Sequence, residues 1–185
     1  MLVYGEMSGE VPHTVKGRLL KKGVVVYDSE GVEELERRGY GERDDGRLLL
    51  RDYEALYLLY TGRLEVRKGR DPLEMSDLVR FALGRDPDAW TRFMIYRDLR
   101  SRGYVVKEGF GFGIDFRVYE RGEYGVKPAK YVVFGLNEGS ERPVEDVGRA
   151  VDEITRMGKE AIIAVIERRG EVIYYKVSKM RFREK

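Results

Sequence analysis

Residues 96–122, YRDLRSRGYVVKEGFGFGIDFRVYERG, decide how the second half of this chain folds. The stretch begins in a helical pattern that stops at Gly103, since glycine readily takes the left-handed conformation that ends a helix. Residues 104–106 and 114–119 are rich in the β-branched and aromatic residues that favour strands. The EGFGFG segment (108–113) lacks the lysine and the strand-to-helix context of a phosphate-binding loop. We therefore predict two paired strands with a tight connection.

Further along the chain, the apolar pattern predicts a strand, a helix and two more strands. Residues 131–136 and 172–177 have strand composition, and the nearly all-apolar run 161–166 predicts a central strand buried on both sides. Pro143 opens a helix whose apolar residues lie three and four positions apart and form one face. These residues are Val144, Val147, Val151 and Ile154.

Toward the N-terminus, residues 14–27 predict two strands around a turn, and residues 29–38 predict a helix closed by Gly39. A short strand, 47–50, precedes a helix capped by Asp52. Two more helices follow, 73–83 and 88–102, with Leu73 in the first and a buried stripe in the second made by Trp90, Phe93, Met94 and Leu99. The polar cluster 84–88 separates the halves.

This order of elements predicts an α/β (α+β) protein. The predicted domains are a small N-terminal α/β domain, 1–87, and a C-terminal α/β domain with a mixed sheet, 88–185.

Composition restricts the function classes. The 185 residues include 35 basic and 33 acidic ones, so the net charge of +2 is not that of a strongly basic nucleic-acid binder. The basic cluster of Lys16, Arg18, Lys21 and Lys22 has its ordinary interpretation as a solvated face. Without cysteine there is no disulfide, zinc knuckle or thiol nucleophile. No apolar run spans a membrane and no secretory signal opens the chain, so we expect a cytoplasmic protein that needs no cofactor.

Four stretches in this order resemble the archaeal tRNA-splicing endonucleases (tRNA-intron endonucleases). They are YEALYLLYTGRLEV (53–66), the stretch 96–122 quoted above, KYVVFGLNEG (130–139) and GKEAIIAVIERRGEVIYYKV (158–177). The resemblance implies a nuclease-type C-terminal domain and cleavage of precursor tRNA at intron boundaries without metal. In that reaction the ribose 2′-hydroxyl attacks the adjacent phosphate and leaves a 2′,3′-cyclic phosphate and a 5′-hydroxyl. It requires a base, an acid and a cation, and the family assigns these roles to a tyrosine, a histidine and a lysine.

The resemblance carries over two of the three catalytic positions. Tyr119, in DFRVYERG, matches the family tyrosine, and Lys159, in GKEAIIAVI, matches the family lysine. The histidine belongs in a pattern like HSKY, where this chain reads PAKY, so Pro128 occupies its place. The sole histidine, His13, is far away in sequence. On ordinary grounds Tyr119 is a packing residue with a solvated hydroxyl, and Lys159 is a cation capping a helix end.

Two further positions concern RNA and partner contacts. Where the family has an arginine that grips a bulged base, the alignment places Asp152, whose charge repels phosphate. The ERRGE turn (167–171) matches an acidic loop that docks into a basic pocket on a neighbouring subunit, which makes Glu167 and Glu171 the interface residues. Otherwise the turn is an exposed hairpin.

These features favour a structural subunit, paired with a catalytic relative as two copies of each chain and contacting precursor tRNA through the assembled complex. Three alternatives stay open. One is an active RNA endonuclease with a different general acid, and another is a non-catalytic RNA-binding or assembly protein. The third, a metal-dependent nuclease, is disfavoured because the sequence has no Glu-x-Lys pair.

Overall fold

The computed structural model describes residues 14–111, 113, 115–139 and 141–180. His13 and Ile114, which entered the predictions, lie outside these residues. Within them the first half has the order β1 (Val15–Leu20), β2 (Gly23–Val26), α1 (Ser29–Arg37), β3 (Glu42–Asp44), β4 (Arg47–Leu50), α2 (Asp52–Tyr60), β5 (Leu64–Lys68), β6 (Asp71–Leu73) and α3 (Met75–Arg85). The second half continues with α4 (Ala89–Ser101), β7 (Val105–Glu108), β8 (Asp115–Tyr119), β9 (Tyr131–Asn137), α5 (Val144–Arg156), β10 (Glu160–Ile166) and β11 (Val172–Val177).

Each half has its own mixed sheet, which confirms the predicted α/β class. The first sheet has the strand order β3-β4-β2-β1-β5-β6, and the second has the order β11-β10-β9-β8-β7. In the first sheet β1 is parallel to β5, and in the second β9 is parallel to β10. The crossover between β9 and β10 contains α5, as a parallel pair requires.

Local chemistry explains where the early helices begin. Asp28 caps α1, since its carboxylate accepts a hydrogen bond from the Gly31 N–H at 2.8 Å. The prediction that Asp52 caps α2 is wrong. Arg51 occupies the cap position, and Glu54 three residues later accepts the Arg51 N–H at 2.9 Å, so Asp52 lies in the first turn.

A hydrophobic core shared by both halves joins them. Its buried members run from Val15 in the first sheet to Ala164 in the second. At its centre α2 packs on α4, and the Tyr53 ring lies 4.9 Å from that of Tyr96 and 5.1 Å from that of Phe116. Aromatic pairs of this geometry stabilise beyond the area they bury. The two halves are therefore held as neighbours by packing.

The structure corrects one burial prediction and one element assignment. Trp90 was expected in a buried stripe and is 45% exposed, although Phe93, Met94 and Leu99 are buried as predicted. Leu73 belongs to β6 and not to the following helix, because it pairs with Val66 across the sheet.

The amphipathic helix and the last parallel strand are less enclosed than predicted. Val144, at the first residue of α5, is 85% exposed, since the helix reaches the sheet only farther along. In β10 only Ala161 and Ala164 are fully buried, so the expectation of a strand buried on both sides is wrong for its isoleucines. The physical reason is that α5 covers part of one face of β10 and β11 is the edge strand beside it.

Among the residues described, no helix combines the length and apolar character needed to cross a membrane.

Candidate functional site

Three neighbouring strands bring the predicted site residues to one end of the second sheet. Val118 of β8 pairs with Tyr131 of β9, and Tyr131 pairs with Glu160 of β10. Tyr119 therefore ends one strand, while Lys159 directly precedes another, with Lys130 between them. Strands two apart in a sheet are separated by roughly 10 Å. The Tyr119 and Lys159 side chains must reach toward each other to share one phosphate.

The Tyr119 ring is held by a second tyrosine. It meets the Tyr124 ring edge to face, with 5.1 Å between centroids and a 90° angle between planes. Tyr119 is half-buried. Tyr124 in turn packs near Gly39, whose φ of +78° ends α1 in the first half. The Tyr119 ring is thus positioned by packing at the junction of the two halves.

The Lys159 ammonium is engaged with the backbone. Its Nζ donates to the carbonyl oxygen of Ala129 at 2.6 Å, in a partly buried position. The Lys159 N–H also donates to the Ile154 carbonyl at 3.1 Å, at the C-terminal end of α5, where cations are favourable. Lys159 therefore ties together the helix end and the segment that precedes β9.

The position matched to the family histidine carries no proton donor in its side chain. Pro128 is exposed, and Ala129 after it is buried at 4% exposure. Lys130 then donates its N–H to the Val118 carbonyl at 3.0 Å, which fixes the register of the segment. Proline has no side-chain acid and no N–H.

A polar cluster that the sequence did not indicate lies beside Tyr119. One Glu120 carboxylate oxygen accepts from the Lys130 Nζ at 2.6 Å and from the Tyr131 hydroxyl at 2.7 Å. Because of the Lys130 and then the Tyr131 hydrogen bond, the pKa of Glu120 lies below its usual range. The same hydrogen bond with Glu120 raises the pKa of Lys130. The cluster is a solvent-facing ion pair with a phenol donor.

This sheet end is electrostatically balanced. Glu160 pairs with Lys176 of the edge strand at 2.8 Å, and this hydrogen bond lowers the pKa of Glu160. With Lys130 on Glu120 and Lys159 on Ala129, the three ammonium groups each have an oxygen partner. A phosphate arriving here would compete with those oxygens.

The remaining predicted residues lie elsewhere. Asp152 is on α5 and forms an ion pair with Lys179 near the end of the described chain. Glu167 and Glu171 form a hairpin in which the Glu167 N–H donates to the Glu171 carbonyl at 3.0 Å. Glu167 is partly exposed and Glu171 is exposed, and Arg168 between them pairs with Glu138 at 3.4 Å. The two hairpin glutamates therefore lie away from the strand end that holds Tyr119 and Lys159.

Comparison with known proteins assigns both halves. Residues 15–79 match the family model described as tRNA intron endonuclease, N-terminal domain, and residues 89–174 match tRNA intron endonuclease, catalytic C-terminal domain. A tRNA-splicing endonuclease of Methanococcus vannielii is 31% identical over 170 residues, which are 91% of this chain and 96% of the relative. The chain belongs to the tRNA intron endonuclease family. This membership confirms the resemblance stated from the sequence.

Two further relatives extend the comparison to heat-loving genera. A tRNA-splicing endonuclease of Thermococcus gammatolerans is 36% identical over 146 residues, which are 79% of this chain and 86% of the relative. One from Pyrococcus furiosus is 34% identical over 145 residues, 78% and 84% of the two chains. The two matched domains leave residues 80–88 between them, and the predicted domain bounds, 1–87 and 88–185, stay a prediction.

Sequence reasoning missed the Glu120 cluster because its members belong to two strands. Glu120 follows β8 and Lys130 precedes β9, and only the register brings them together. The sequence signal that could have predicted the cluster is Lys130-Tyr131 at the start of β9 together with Tyr119-Glu120 at the end of β8.

Proposed function

We propose that this chain is the structural subunit of a tRNA-splicing endonuclease and scaffolds a catalytic partner chain that removes introns from precursor tRNA. The observation that carries the proposal is Pro128 at the position of the family histidine. Expulsion of the 5′-oxygen is accelerated by a proton donor, typically by a factor of about 10²–10⁴. This chain keeps the tyrosine and the lysine positions and lacks the donor.

The contacts of Lys159 support the same proposal. A cation that stabilises a developing phosphate charge must face the substrate with free N–H groups. The Lys159 ammonium donates one of its three N–H groups to the Ala129 carbonyl at 2.6 Å, and this contact holds the side chain against the segment before β9. We infer that Lys159 acts as a brace between α5 and the segment before β9, and that Tyr119 packs on Tyr124.

The hairpin of Glu167 and Glu171 is the proposed partner contact. Arg168 is held by Glu138, both through its guanidinium at 3.4 Å and through its N–H at 2.9 Å. With Arg168 paired to Glu138, the exposed Arg169 remains beside Glu167 and Glu171, so the hairpin keeps a small net negative charge. Docked on a partner, their carboxylates would need arginine or lysine there, because an unpaired buried charge is costly. Two copies of each chain would complete the assembly.

The test is reconstitution with precursor tRNA. The purified chain is incubated alone with an intron-bearing precursor, and then after co-expression with a histidine-bearing relative from the same source. We expect no cutting by this chain alone, and cutting by the complex with 2′,3′-cyclic phosphate and 5′-hydroxyl ends. As a matched control, a histidine-to-alanine change in the partner should remove the activity of the complex. Cutting by this chain alone at the rate of the complex would overturn the structural assignment.

An active subunit with another acid is the alternative, and one observation favours it. The strand register keeps the Tyr119 and Lys159 positions at one sheet end. The incubation of the chain alone decides between the two. Failure to co-purify with any relative would instead favour an RNA-binding or assembly protein outside splicing.

A further inference from the structure

The outer face of the first sheet carries a cationic and aromatic surface. The inner side of this sheet is buried in the core, and the strands alternate accordingly, with β1 reading buried and exposed by turns. Lys16 and Arg18 of β1 point to the outer side and pair in register with Glu65 and Arg67 of β5. All four of these side chains are exposed.

Tyr27 lies on this surface with two arginines beside its ring. Arg18 and Arg47 come from β1 and β4, the strands on either side of β2, which Tyr27 follows. Their guanidinium carbons lie 5.6 Å and 5.5 Å from the Tyr27 ring centroid. Tyr27 is 44% exposed. An exposed tyrosine on a sheet flanked by planar cations is an arrangement on which a nucleobase can stack.

This face and the turns at its edge carry more basic than acidic side chains. Six basic residues lie on it or on the β1–β2 turn at its edge: Lys16, Arg18, Lys21, Lys22, Arg47 and Arg67. Four carboxylates lie on the face or on the β3–β4 turn at its edge, and one of them, Glu42, is 3.5 Å from Arg51. The others are Asp44, Asp45 and Glu65.

The arginines beside Tyr27 have no close carboxylate partner among the described residues. Among the described residues, Asp45 is the only carboxylate within ion-pair distance of Arg47, at 3.9 Å. Arg18 lies beside the Tyr27 ring and has no described carboxylate at ion-pair distance. This differs from the second sheet, where Lys130 and Lys159 have close oxygen partners. Cations held near a ring can turn to phosphate oxygens without breaking a strong pair.

We propose that this outer face binds a single-stranded stretch of RNA, with a base stacked on Tyr27 and phosphates at Arg18 and Arg47. The basic side chains around Tyr27 favour RNA over a protein partner, and Leu20, at 46% exposure, adds an apolar side chain to the same face. Single strands expose the base faces that stacking needs, whereas a duplex hides them. The surface belongs to the chain itself, so the inference does not depend on whether Tyr119 takes part in cutting.

Binding of a fluorescein-labelled single-stranded RNA of about 12 nucleotides, within the site sizes of known single-strand binders, tests the proposal by fluorescence anisotropy with the full chain at low salt. We expect Tyr27→Ala to weaken binding at least fivefold and Tyr27→Phe to stay within twofold, because the ring alone supports stacking. Tyr60→Ala is the matched control, since Tyr60 is 60% exposed and lies beside Arg97 at 6.0 Å on another surface. It should leave the affinity unchanged.

The role of the two arginines is tested by the salt dependence of RNA affinity. Arg18→Gln and Arg47→Gln should each weaken binding and lower the slope of log affinity against log salt by about 0.7 for each phosphate that is no longer neutralised. Arg80→Gln, an exposed arginine on α3, is the charge-matched control and should leave that slope unchanged. Circular dichroism spectra and thermal unfolding establish that each variant is folded.

Four results would overturn the inference. Three of them are no binding of the single strand by the folded wild-type chain, equal affinities for Tyr27→Ala and Tyr60→Ala, and loss of partner co-purification in Tyr27→Ala with RNA binding intact. The last result would make the face a protein interface. Equal response of a duplex of the same sequence to Tyr27→Ala would also contradict base stacking. Failure of the structural-subunit proposal shows separately, as cutting of precursor tRNA by the chain alone.

Discussion

Two glutamates of this molecule, Glu54 and Glu120, each accept two hydrogen bonds and lie in opposite surroundings. Glu54 is 2% exposed at the junction of the halves, accepts the Gly41 and Arg51 N–H groups at 2.9 Å each, and lies near Lys107. Glu120 accepts from a lysine and a tyrosine at the open end of the second sheet. Burial raises the pKa of Glu54, whereas hydrogen bonds lower the pKa of Glu120.

The difference shows which part of the chain is built for stability. Around Glu54, Lys107 donates across the junction to the Gly41 carbonyl at 2.5 Å, and Arg100 lies 3.9 Å from the Tyr40 ring. These contacts join the two halves through buried polar groups, whose removal is strongly destabilising. The Glu120 cluster is accessible, so its contacts are weak and exchangeable.

The largest effect should come from removing Glu54. Glu54→Ala leaves two backbone N–H groups without their acceptor and Lys107 without its nearby carboxylate, so we expect a loss of about 3–5 kcal/mol in the free energy of unfolding. Urea denaturation followed by circular dichroism measures it. Glu33→Ala, at an exposed position of α1, is the control and should change stability by about 0.5 kcal/mol or less. A loss for Glu54→Ala as small as the control's would remove the contrast between the two glutamates.

Two tyrosines, the buried Tyr96 and the partly buried Tyr174, extend the comparison to an effect of intermediate size. The Tyr96 hydroxyl is buried without a hydrogen-bond partner among the described residues, while the Tyr174 hydroxyl donates to Asp98 at 2.7 Å. Tyr174→Phe should cost about 1 kcal/mol, and Tyr96→Phe should be neutral or stabilising, because it removes an unsatisfied polar group. Thermal and urea unfolding of the two variants give the signs. The reverse order would indicate that the Tyr96 hydroxyl has a partner.

The smallest effect is expected at Glu120. A lowered carboxylate pKa means that stabilisation is present above the ordinary glutamate pKa and is lost as the pH falls through the lowered one. Glu120→Gln should therefore change stability only slightly at neutral pH and not at all in acid. An NMR titration should find the Glu120 pKa below that of an exposed glutamate, and Lys130→Gln should return it toward the ordinary value. An unchanged pKa in Lys130→Gln would mean that this ion pair does not form.

Much of the second half was predictable because its patterns are strong. The apolar spacing of α5 and the strand composition of β8 to β11 identified their elements, since each reflects the preferences of its own residues. The family resemblance indicated Tyr119 and Lys159, and the register brings their backbone positions to one sheet end.

Side-chain burial and hydrogen-bond partners were less predictable, because they depend on segments that are distant in sequence and pack nearby. Glu54 is a charged residue in a helix, which a sequence pattern places at the surface, yet it is 2% exposed and lies near Lys107 of β7 and Arg100 of α4. Trp90 is apolar and still exposed, since the packing of α2 against α4 uses Phe93 and Tyr96. The Lys159–Ala129 contact requires the parallel pairing of β9 and β10, which no local pattern encodes.

The most direct test of the structural-subunit account removes one oxygen atom. Tyr119→Phe keeps the ring that packs on Tyr124 and deletes the hydroxyl that a catalytic tyrosine would use. In the complex reconstituted with a histidine-bearing relative, the single-turnover rate of precursor tRNA cleavage is measured with this variant and with the same change in the partner. The account predicts a rate within about twofold of wild type for Tyr119→Phe and a loss of about 10²-fold or more for the partner's change. A loss of that size for Tyr119→Phe would contradict it.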